Sequence, residues 1–278
     1  MKVRFLKIVV LLLAVSLTGT AWSAGEDYHW TGEGDDNLWT TPENWDPLGP
    51  PLSDSGNIWI SAPNAVIVEI PSGYTARCTF GGGGDGTIFG PDWGPQLDIY
   101  GGLEYDWYIA PMQNDSTNPS TINMYDGSTM SGEGVALGYS WWISTAPYAE
   151  LNMYGDAYVD INWMWWGGEI SLVDGGTLDI SGGIVADDAG NVSDDTRRLE
   201  IENGTLLLPA DFNDVVKDWV ARGIVSPYGG MGELVIEQVD VDSVQRTQVT
   251  AIPEPATMLI LGLGSLVVIR RTNVKGFK

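Results

Sequence analysis

Few side chains of this sequence have the types and spacing that catalysis requires. The one histidine, His29, is far in sequence from any candidate partner, so a Ser-His-Asp triad, a histidine base and a histidine-containing metal site all lack support. Asp187-Asp188 is an adjacent acidic pair, but it lacks the histidine and the basic residues that would accompany it in a polysaccharide hydrolase. We therefore predict no catalytic residue and no metal ligand, and interpret the pair as an acidic loop.

Tryptophan, with 13 residues, offers a different chemistry. Six of these residues fall at the far ends of three consecutive stretches: Trp107, Trp141, Trp142, Trp163, Trp165 and Trp166. The faces of indole rings stack on sugar rings, so an exposed row would hold a glycan; the alternative is an aromatic ladder that fills the core or a corner. Because side chains alternate along a strand, Trp163 and Trp165 would share one face and Trp166 the other. We predict that at least one of these faces is partly exposed.

The charge of the chain excludes several classes of partner. Between the two terminal signals described below, the chain carries six basic and 36 acidic residues, a net charge of −30. Nucleic acid and anionic lipid would be repelled by such a surface. A divalent cation such as calcium is an alternative use for the carboxylates, but a solvated surface that resists aggregation is favoured. Cys78 is the single cysteine, so no internal disulfide is expected.

Five segments share one pattern: apolar, polar, apolar, any residue, then a two-residue turn. They begin at Leu97, Ile122, Leu151, Ile170 and Leu199. Eight positions after each start stands another apolar residue: Tyr105, Met130, Val159, Leu178 and Leu207. The starts are 25, 29, 19 and 29 residues apart, in the range where repetition indicates stacked supersecondary units. Each segment is therefore expected to form one coil, with a strand, a glycine-containing corner and a second strand.

This pattern, with 36 glycines and recurring Asn-Gly, Asp-Gly and Gly-Gly turns, predicts an all-β fold. The leading architecture is a parallel β-solenoid (β-helix) with an N-terminal cap and one short C-terminal helix. A β-sandwich is the alternative, because strands with turns every 8 to 12 residues also give irregular spacing. The solenoid is favoured because the turn keeps the same offset in every segment.

The predicted helix covers residues 211–222. Its apolar stripe follows helical spacing and comprises Phe212, Val215, Val216, Trp219 and Val220. Asp211 is expected to cap its N-terminus, and Gly223 is expected to end it. We expect the stripe to cover the last open coil.

Both ends of the chain have the features of targeting segments. Residues 1–23 combine a basic start, an apolar run over residues 8–17 and the small residues Ala21 and Ser23, as a secretory signal peptide does. At the other end, Pro253-Glu254-Pro255 precedes a 13-residue apolar run, residues 257–269, and the basic pair Arg270-Arg271. A bilayer span needs roughly 20 apolar residues, so the run would be a short anchor with its basic end in the cytoplasm.

These three parts, in this order, resemble the PEP-CTERM sorting signal of bacterial exported proteins. The resemblance implies that an exosortase recognises the tail and cuts at or near Pro253-Glu254-Pro255. The Trp- and Gly-rich segment 28–46 is similar to the N-terminal element of exported β-solenoid proteins that carry autotransporter-like repeats. The expected organisation is thus a signal peptide (1–23), a β-solenoid body (24–251) and a sorting tail (252–278).

These features predict an exported, non-enzymatic protein of structural or adhesive type, located at the cell surface or in the extracellular matrix. A glycan-binding module is the second hypothesis, and a polysaccharide hydrolase or lyase is the third, because the acid and base groups that catalysis needs are not found. The expected partners are an exosortase-type enzyme and extracellular polysaccharide. We expect no nucleic acid, no cofactor apart from the calcium alternative, and membrane contact through the tail alone.

Overall fold

The computed structural model describes residues 27–51, 58–60, 67–78, 96–109, 120–138, 149–185 and 197–254. Strands make up most of the structure. They are β1 (Tyr28–Trp30), β2 (Trp45–Asp46), β3 (Ile58–Trp59), β4 (Ile67–Ile70), β5 (Thr75–Cys78), β6 (Gln96–Ile99), β7 (Gly102–Tyr105), β8 (Tyr108–Ile109), β9 (Ser120–Met124), β10 (Thr129–Leu137), β11 (Ala149–Tyr154), β12 (Tyr158–Trp166), β13 (Glu169–Val173), β14 (Thr177–Val185), β15 (Arg198–Glu202), β16 (Thr205–Pro209), β17 (Val225–Pro227), β18 (Gly232–Val241) and β19 (Val244–Pro253). The helix α1 is Asn213–Ala221, and 3₁₀ turns occur at Pro42–Asn44, Ala210–Phe212 and Tyr228–Gly230.

The strands stack as a parallel β-solenoid of about five turns. The first sheet has the order β17-β15-β13-β11-β9-β6-β4, with parallel pairing throughout. The second has the order β18-β19-β16-β14-β12-β10-β7-β5, and β8 also pairs with β10. Each coil passes from the first sheet through a corner into the second. Parallel pairing between successive coils confirms the solenoid and excludes the β-sandwich, whose sheets are antiparallel.

The register of the first sheet confirms the predicted repeats. The five starting residues, Leu97, Ile122, Leu151, Ile170 and Leu199, are paired in series across the sheet. Each of them is at most 2% exposed, because the apolar positions point into the core. Val68 pairs with Leu97, and Val225 pairs with Leu199, so two further rungs extend the array beyond the repeats found in the sequence.

The second strands follow the prediction in only three coils. Met130, Val159 and Leu178 are paired in series, as the offset of eight residues predicts. Tyr105 and Leu207 were wrongly placed in this row, which Leu103 and Leu206 occupy instead.

Corner length explains this difference. Only Tyr100 and Gly101 separate β6 from β7, whereas the corner between β9 and β10 is four residues long, 125–128. The short corner is possible because residue 101 is glycine: a Cβ there would clash with the carbonyl oxygens of Tyr74 and Pro71. An offset counted in residues is therefore not conserved from coil to coil.

The N-terminal cap is a small sheet, β2-β1-β3, built over three buried tryptophans. Trp30 and Trp39 each meet Trp45 edge-on, with ring centroids 5.0 and 4.8 Å apart. The fully buried Asn44 amide accepts from the Gly34 amide and donates to backbone oxygens of the same loop. Trp39 donates its backbone N–H to Glu69 of β4, which joins the cap to the free edge of the first coil.

The helix α1 confirms the predicted position near the C-terminus. Val216 and Trp219 are buried, and Trp219 packs edge-on against Trp166 with centroids 5.4 Å apart. Gly223 ends the helix with φ +71°, while the amides of Gly223 and Ile224 bond back to Val220 and Trp219, as in a Schellman motif.

Two details of the predicted helix are wrong. Asp211 is not the N-cap: it lies in the preceding 3₁₀ turn, and Phe212 holds the cap position without a side-chain bond. Val215 is 40% exposed, because the helix packs on the core through a narrower stripe than the spacing indicates.

An antiparallel hairpin, β18 and β19, closes the second sheet. β19 pairs with β16, and β18 forms the outer edge. Asp242 and Ser243 both have positive φ, 49° and 69°, which suits a tight two-residue turn between twisted strands. One continuous core extends from Trp30 in the cap to Val249 in this hairpin.

Candidate functional site

The predicted tryptophans fall into three environments. Trp107 and Trp163 are 46% and 37% exposed, and Trp165 is half-buried. Trp166 is buried, and its Nε1 donates to the Gly168 carbonyl at 2.9 Å. Trp141 and Trp142 lie outside the described residues.

A shift in the pairing of β12 with β14 separates these environments. Val159 and Ile161 point inward in the first half of the strand, whereas Met164 and Trp166 point inward in the second half. The alternation changes phase at Asn162, where the pairing with β14 also shifts: Ile161 pairs with Ile180, but Trp163 pairs with Gly183. The irregularity turns Trp163 and Trp165 outward together and leaves Trp166 in the core.

Glycines in the neighbouring strands make room for the outward rings. Tyr108 of β8 lies over Gly134 of β10, where an added Cβ would be 2.8 Å from Tyr108 Cδ1. Trp163 lies over Gly182 of β14 in the same way, with Cε2 at 2.8 Å from the added Cβ. Each ring thus leans across the next coil and lies close to the sheet surface.

The rings form a patch that we call the aromatic face, consisting of Trp107, Tyr108, Trp163 and Trp165. Tyr108 meets Trp107 at 5.0 Å and Trp165 at 4.5 Å between ring centroids, both edge-on. Burial raises the pKa of Tyr108, and the nearby Glu133 carboxylate raises it further. The phenol therefore stays neutral and keeps its hydroxyl proton at physiological pH.

A polar row runs beside the aromatic face on the same strands. Asn162 Nδ2 donates to Glu133 Oε1 at 3.1 Å, and Ser181 Oγ is 3.5 Å from Asn162 Oδ1. A carboxylate offers about four acceptor sites and an amide nitrogen two donors, so these bonds leave capacity for further partners. The row supplies an acid, an amide and a hydroxyl at successive coils. The sequence pattern does not single out these residues, because they come together where the pairing of β12 with β14 shifts.

A second aromatic row lies where three successive coils leave the first sheet. Tyr100, Tyr125 and Tyr154 stack with centroids 4.3 and 5.6 Å apart and ring planes within 19°. Burial raises the pKa of Tyr125, with further contributions from the Asp98 carboxylate and from its tyrosine neighbours. Sequence reasoning missed this row although a signal was present: all three tyrosines fill the fourth repeat position, for which the pattern specifies no residue type.

An amide ladder accompanies the tyrosines. Asn123 Nδ2 donates to Asp98 Oδ1 at 2.8 Å, and Asn152 Nδ2 donates to Asn123 Oδ1 at 3.1 Å. Such a ladder satisfies polar groups from coil to coil, and Asp98 and Asn123 are largely buried within it. We interpret these two rows as structural, because their donors, acceptors and ring faces are engaged with one another.

A cleft of about 280 Å³ opens on the second sheet. Its lining residues are Arg77, Glu104, Tyr105, Asp106, Ser131 and Gly132. Arg77 Nε lies 2.8 Å from Glu104 Oε2, and both side chains are substantially exposed. The charge of Arg77 is thus already neutralised, which weakens the case for this cleft as an anion site.

Of the residues considered for catalysis, the structure describes His29 but not the pair Asp187-Asp188. His29 is exposed in β1, where its ring stacks on Trp59 at 6.4 Å between centroids. Asp187-Asp188 lies outside the described residues. Across the ranges that the structure describes, no three histidine, cysteine, aspartate or glutamate side chains converge where a metal ion would fit.

The body runs directly into the sorting motif. Pro253 is the last residue of β19 and is paired with Gly232, while Glu254 is exposed just beyond the strand. Pro255, Arg270, Arg271 and the signal peptide 1–23 lie outside the described residues. Among the described helices, none has the length and apolar character needed to cross a membrane.

Comparison with known proteins identifies one feature of the chain. Residues 251–271 match the PEP-CTERM protein-sorting motif. No curated protein and no solved structure matches the chain. The motif indicates an exported protein that is sorted by an exosortase to the cell envelope or surface.

Proposed function

We propose that this exported protein is a structural or adhesive component of the cell surface or extracellular matrix. The observation that carries the proposal is that the parallel β-solenoid leads directly into the sorting motif: its last strand, β19, ends at Pro253. A solenoid is quasi-one-dimensional and offers long, regular outer faces on a continuous core. An autotransporter-like character of the body belongs to the same proposal.

The chain is proposed to act without catalysis and without a cofactor. The position of His29 supports a non-catalytic role. Its ring stacks on Trp59 in the small N-terminal sheet, where it is part of the cap. The proposed partners are the exosortase and extracellular polysaccharide, with membrane contact through residues 257–269. The aromatic face favours a second candidate, a glycan-binding module, and its ligand is considered in the next subsection.

Fractionation of the producing cells tests the proposal. The mature protein should be recovered with surface or matrix polysaccharide. Deletion of its gene should weaken the cohesion of that layer. A deletion strain complemented with a Pro253→Ala/Pro255→Ala variant is the matched control, because it impairs sorting and changes the body only at Pro253, the last residue of β19. Recovery of the protein only from the soluble periplasmic fraction, or release of reducing sugar by the purified protein, would overturn the proposal.

A further inference from the structure

We propose that the aromatic face binds a neutral polysaccharide chain along the solenoid axis, across β8, β10, β12 and β14. This inference rests on the proposed function and names its ligand class and binding site. It follows from three features of the described residues: the arrangement of the rings, the adjacent polar row and the charge of the body.

The rings make a continuous outer path from coil to coil. Tyr108 spans Gly134 and reaches Trp165, and Trp163 spans Gly182. Strands lie about 4.8 Å apart, so β8 to β14 covers roughly 14 Å, the scale of an oligosaccharide rather than a single sugar.

The ring geometry distinguishes this face from the tyrosine row. Tyr100, Tyr125 and Tyr154 are stacked face to face, so both faces of Tyr125 and one face of each end ring are covered by a neighbouring tyrosine. Tyr108 meets Trp107 and Trp165 edge-on, without face-to-face stacking. Trp107 and Trp163 are 46% and 37% exposed, so part of their ring area is open to solvent. Apolar ring faces with exposed area can stack on the C–H faces of sugar rings.

The polar row gives the site its preference for hydroxyl groups. Glu133, Asn162 and Ser181 stand at successive coils beside the rings. Glu133 keeps free acceptor sites, Asn162 keeps a second amide hydrogen, and Ser181, whose proton is shared by Ile161 O and Asn162 Oδ1, keeps its acceptor lone pairs. A few polar groups beside an apolar platform fix the orientation of a ligand. Sugar hydroxyls both donate and accept, so they match an acid, an amide and a hydroxyl in one row.

The charge of the body selects for a neutral chain. The body has a net charge of −30, and Glu133 places a carboxylate in the site itself. Uronate or sulfated polysaccharides would meet like charge at the surface and at this row. A neutral polysaccharide meets neither repulsion.

Affinity electrophoresis of the exported protein tests the inference. The probes are three neutral polysaccharides, hydroxyethylcellulose, soluble starch and galactomannan, with alginate as an anionic comparison. We expect retardation by at least one neutral probe and none by alginate at low salt. The double variant Trp107→Ala/Trp163→Ala should raise Kd by at least about tenfold.

Tyr154→Ala is the matched control, because Tyr154 is also 37% exposed but lies on the other sheet. It should leave Kd unchanged. Asn162→Ala should weaken binding without shifting Tm by more than a few degrees, a result that a purely structural role would not give. Should the double variant fail to fold, Trp107→Ala alone tests the face, because Trp107 lies outside the strands.

Three results would overturn the inference: no retardation by any neutral probe, equal loss in the Tyr154→Ala control, or tighter binding to alginate. Each leaves the proposed function standing if the protein is still recovered with the matrix and is still needed for its cohesion. Absence of the protein from the matrix would instead overturn the proposed function, whatever the electrophoresis shows.

Discussion

At the scale of single residues, Arg246 takes part in a buried ion pair between two strands of the second sheet. Its guanidinium forms an ion pair with Asp179, and the two residues are only 7% and 9% exposed. The neighbouring Asp160 is paired in register with Asp179, so a second carboxylate faces the same cation. Removal of the arginine would leave Asp179 buried without its partner.

We therefore expect Arg246→Ala to lower the free energy of unfolding by about 3–5 kcal/mol. Arg77→Ala is the control, because the exposed pair of Arg77 with Glu104 should contribute no more than about 1 kcal/mol. Urea unfolding of both variants, with m-values compared, measures the difference. Equal losses in the two variants would show that Arg246 does not carry a buried charge.

The same residues mark a limit of sequence reasoning. Arg246 and Asp179 are 67 positions apart, and nothing in the local pattern of either strand indicates their contact. Alternation predicted that Trp163 and Trp165 share one face of the strand and that Trp166 lies on the other. Which of the two faces would be the exposed one was not predictable, because it depends on the register shift between β12 and β14 near Asn162.

At the scale of elements, periodicity predicted the strands well and the connections poorly. The apolar positions of the first sheet carry the signal because burial acts on every second residue of every coil. Corners have no such constraint: two residues turn the chain at Tyr100-Gly101 and four turn it at 125–128. The helix was predicted from its stripe and from Gly223, whereas its N-terminus was not, because a 3₁₀ turn precedes it and replaces a side-chain cap.

Gly223 gives a direct test of the helix ending. Its φ is +71°, and a Cβ added there would meet no atom within 4 Å, so substitution causes backbone strain without a clash. Gly223→Ala should cost about 1–2 kcal/mol, measured by urea unfolding. Gly223→Asn should cost clearly less, because asparagine tolerates the left-handed region. If the two substitutions were equally costly, the Schellman ending would not account for the role of this glycine.

At the scale of the whole molecule, the body combines a net charge of −30 with one continuous hydrophobic core. Self-repulsion of this size opposes the compact state and keeps molecules apart, and salt screens it over about 10 Å at 0.1 M. The same carboxylates are the reason that calcium remains an alternative to a purely solvated surface.

We expect Tm to rise with NaCl and to rise equally with CaCl₂ at matched ionic strength. General screening of the carboxylates is the reason, since it depends on ionic strength and not on coordination. Thermal unfolding with and without EDTA is the measurement. A rise in Tm at micromolar calcium that EDTA reverses would favour a specific calcium site over the solvated surface.

The solenoid body reaches the sorting motif without an intervening linker, which bears on where the chain is cut. Pro253 closes the pairing of β19 with β18, and Ile252 beside it is 52% exposed. Proline has no amide hydrogen and disfavours helix at the residue before it, so the strand should end here and leave Glu254 extended and accessible. A cut at or near Pro253-Glu254-Pro255 would remove the apolar run and the basic end but leave the hairpin whole.

Mass spectrometry of the exported protein from a host with the exosortase system should therefore find a C-terminus near this motif, with thermal stability equal to that of the uncut body. Pro253→Ala/Pro255→Ala should retain the chain to Lys278, whereas Pro50→Ala, a proline change outside the strands, should not. A wild-type C-terminus still at Lys278 would mean that the segment is a permanent anchor. A folded body after the cut would show that the solenoid and its hairpin are complete by the end of β19, which is what allows the sorting tail to be removed without loss of structure.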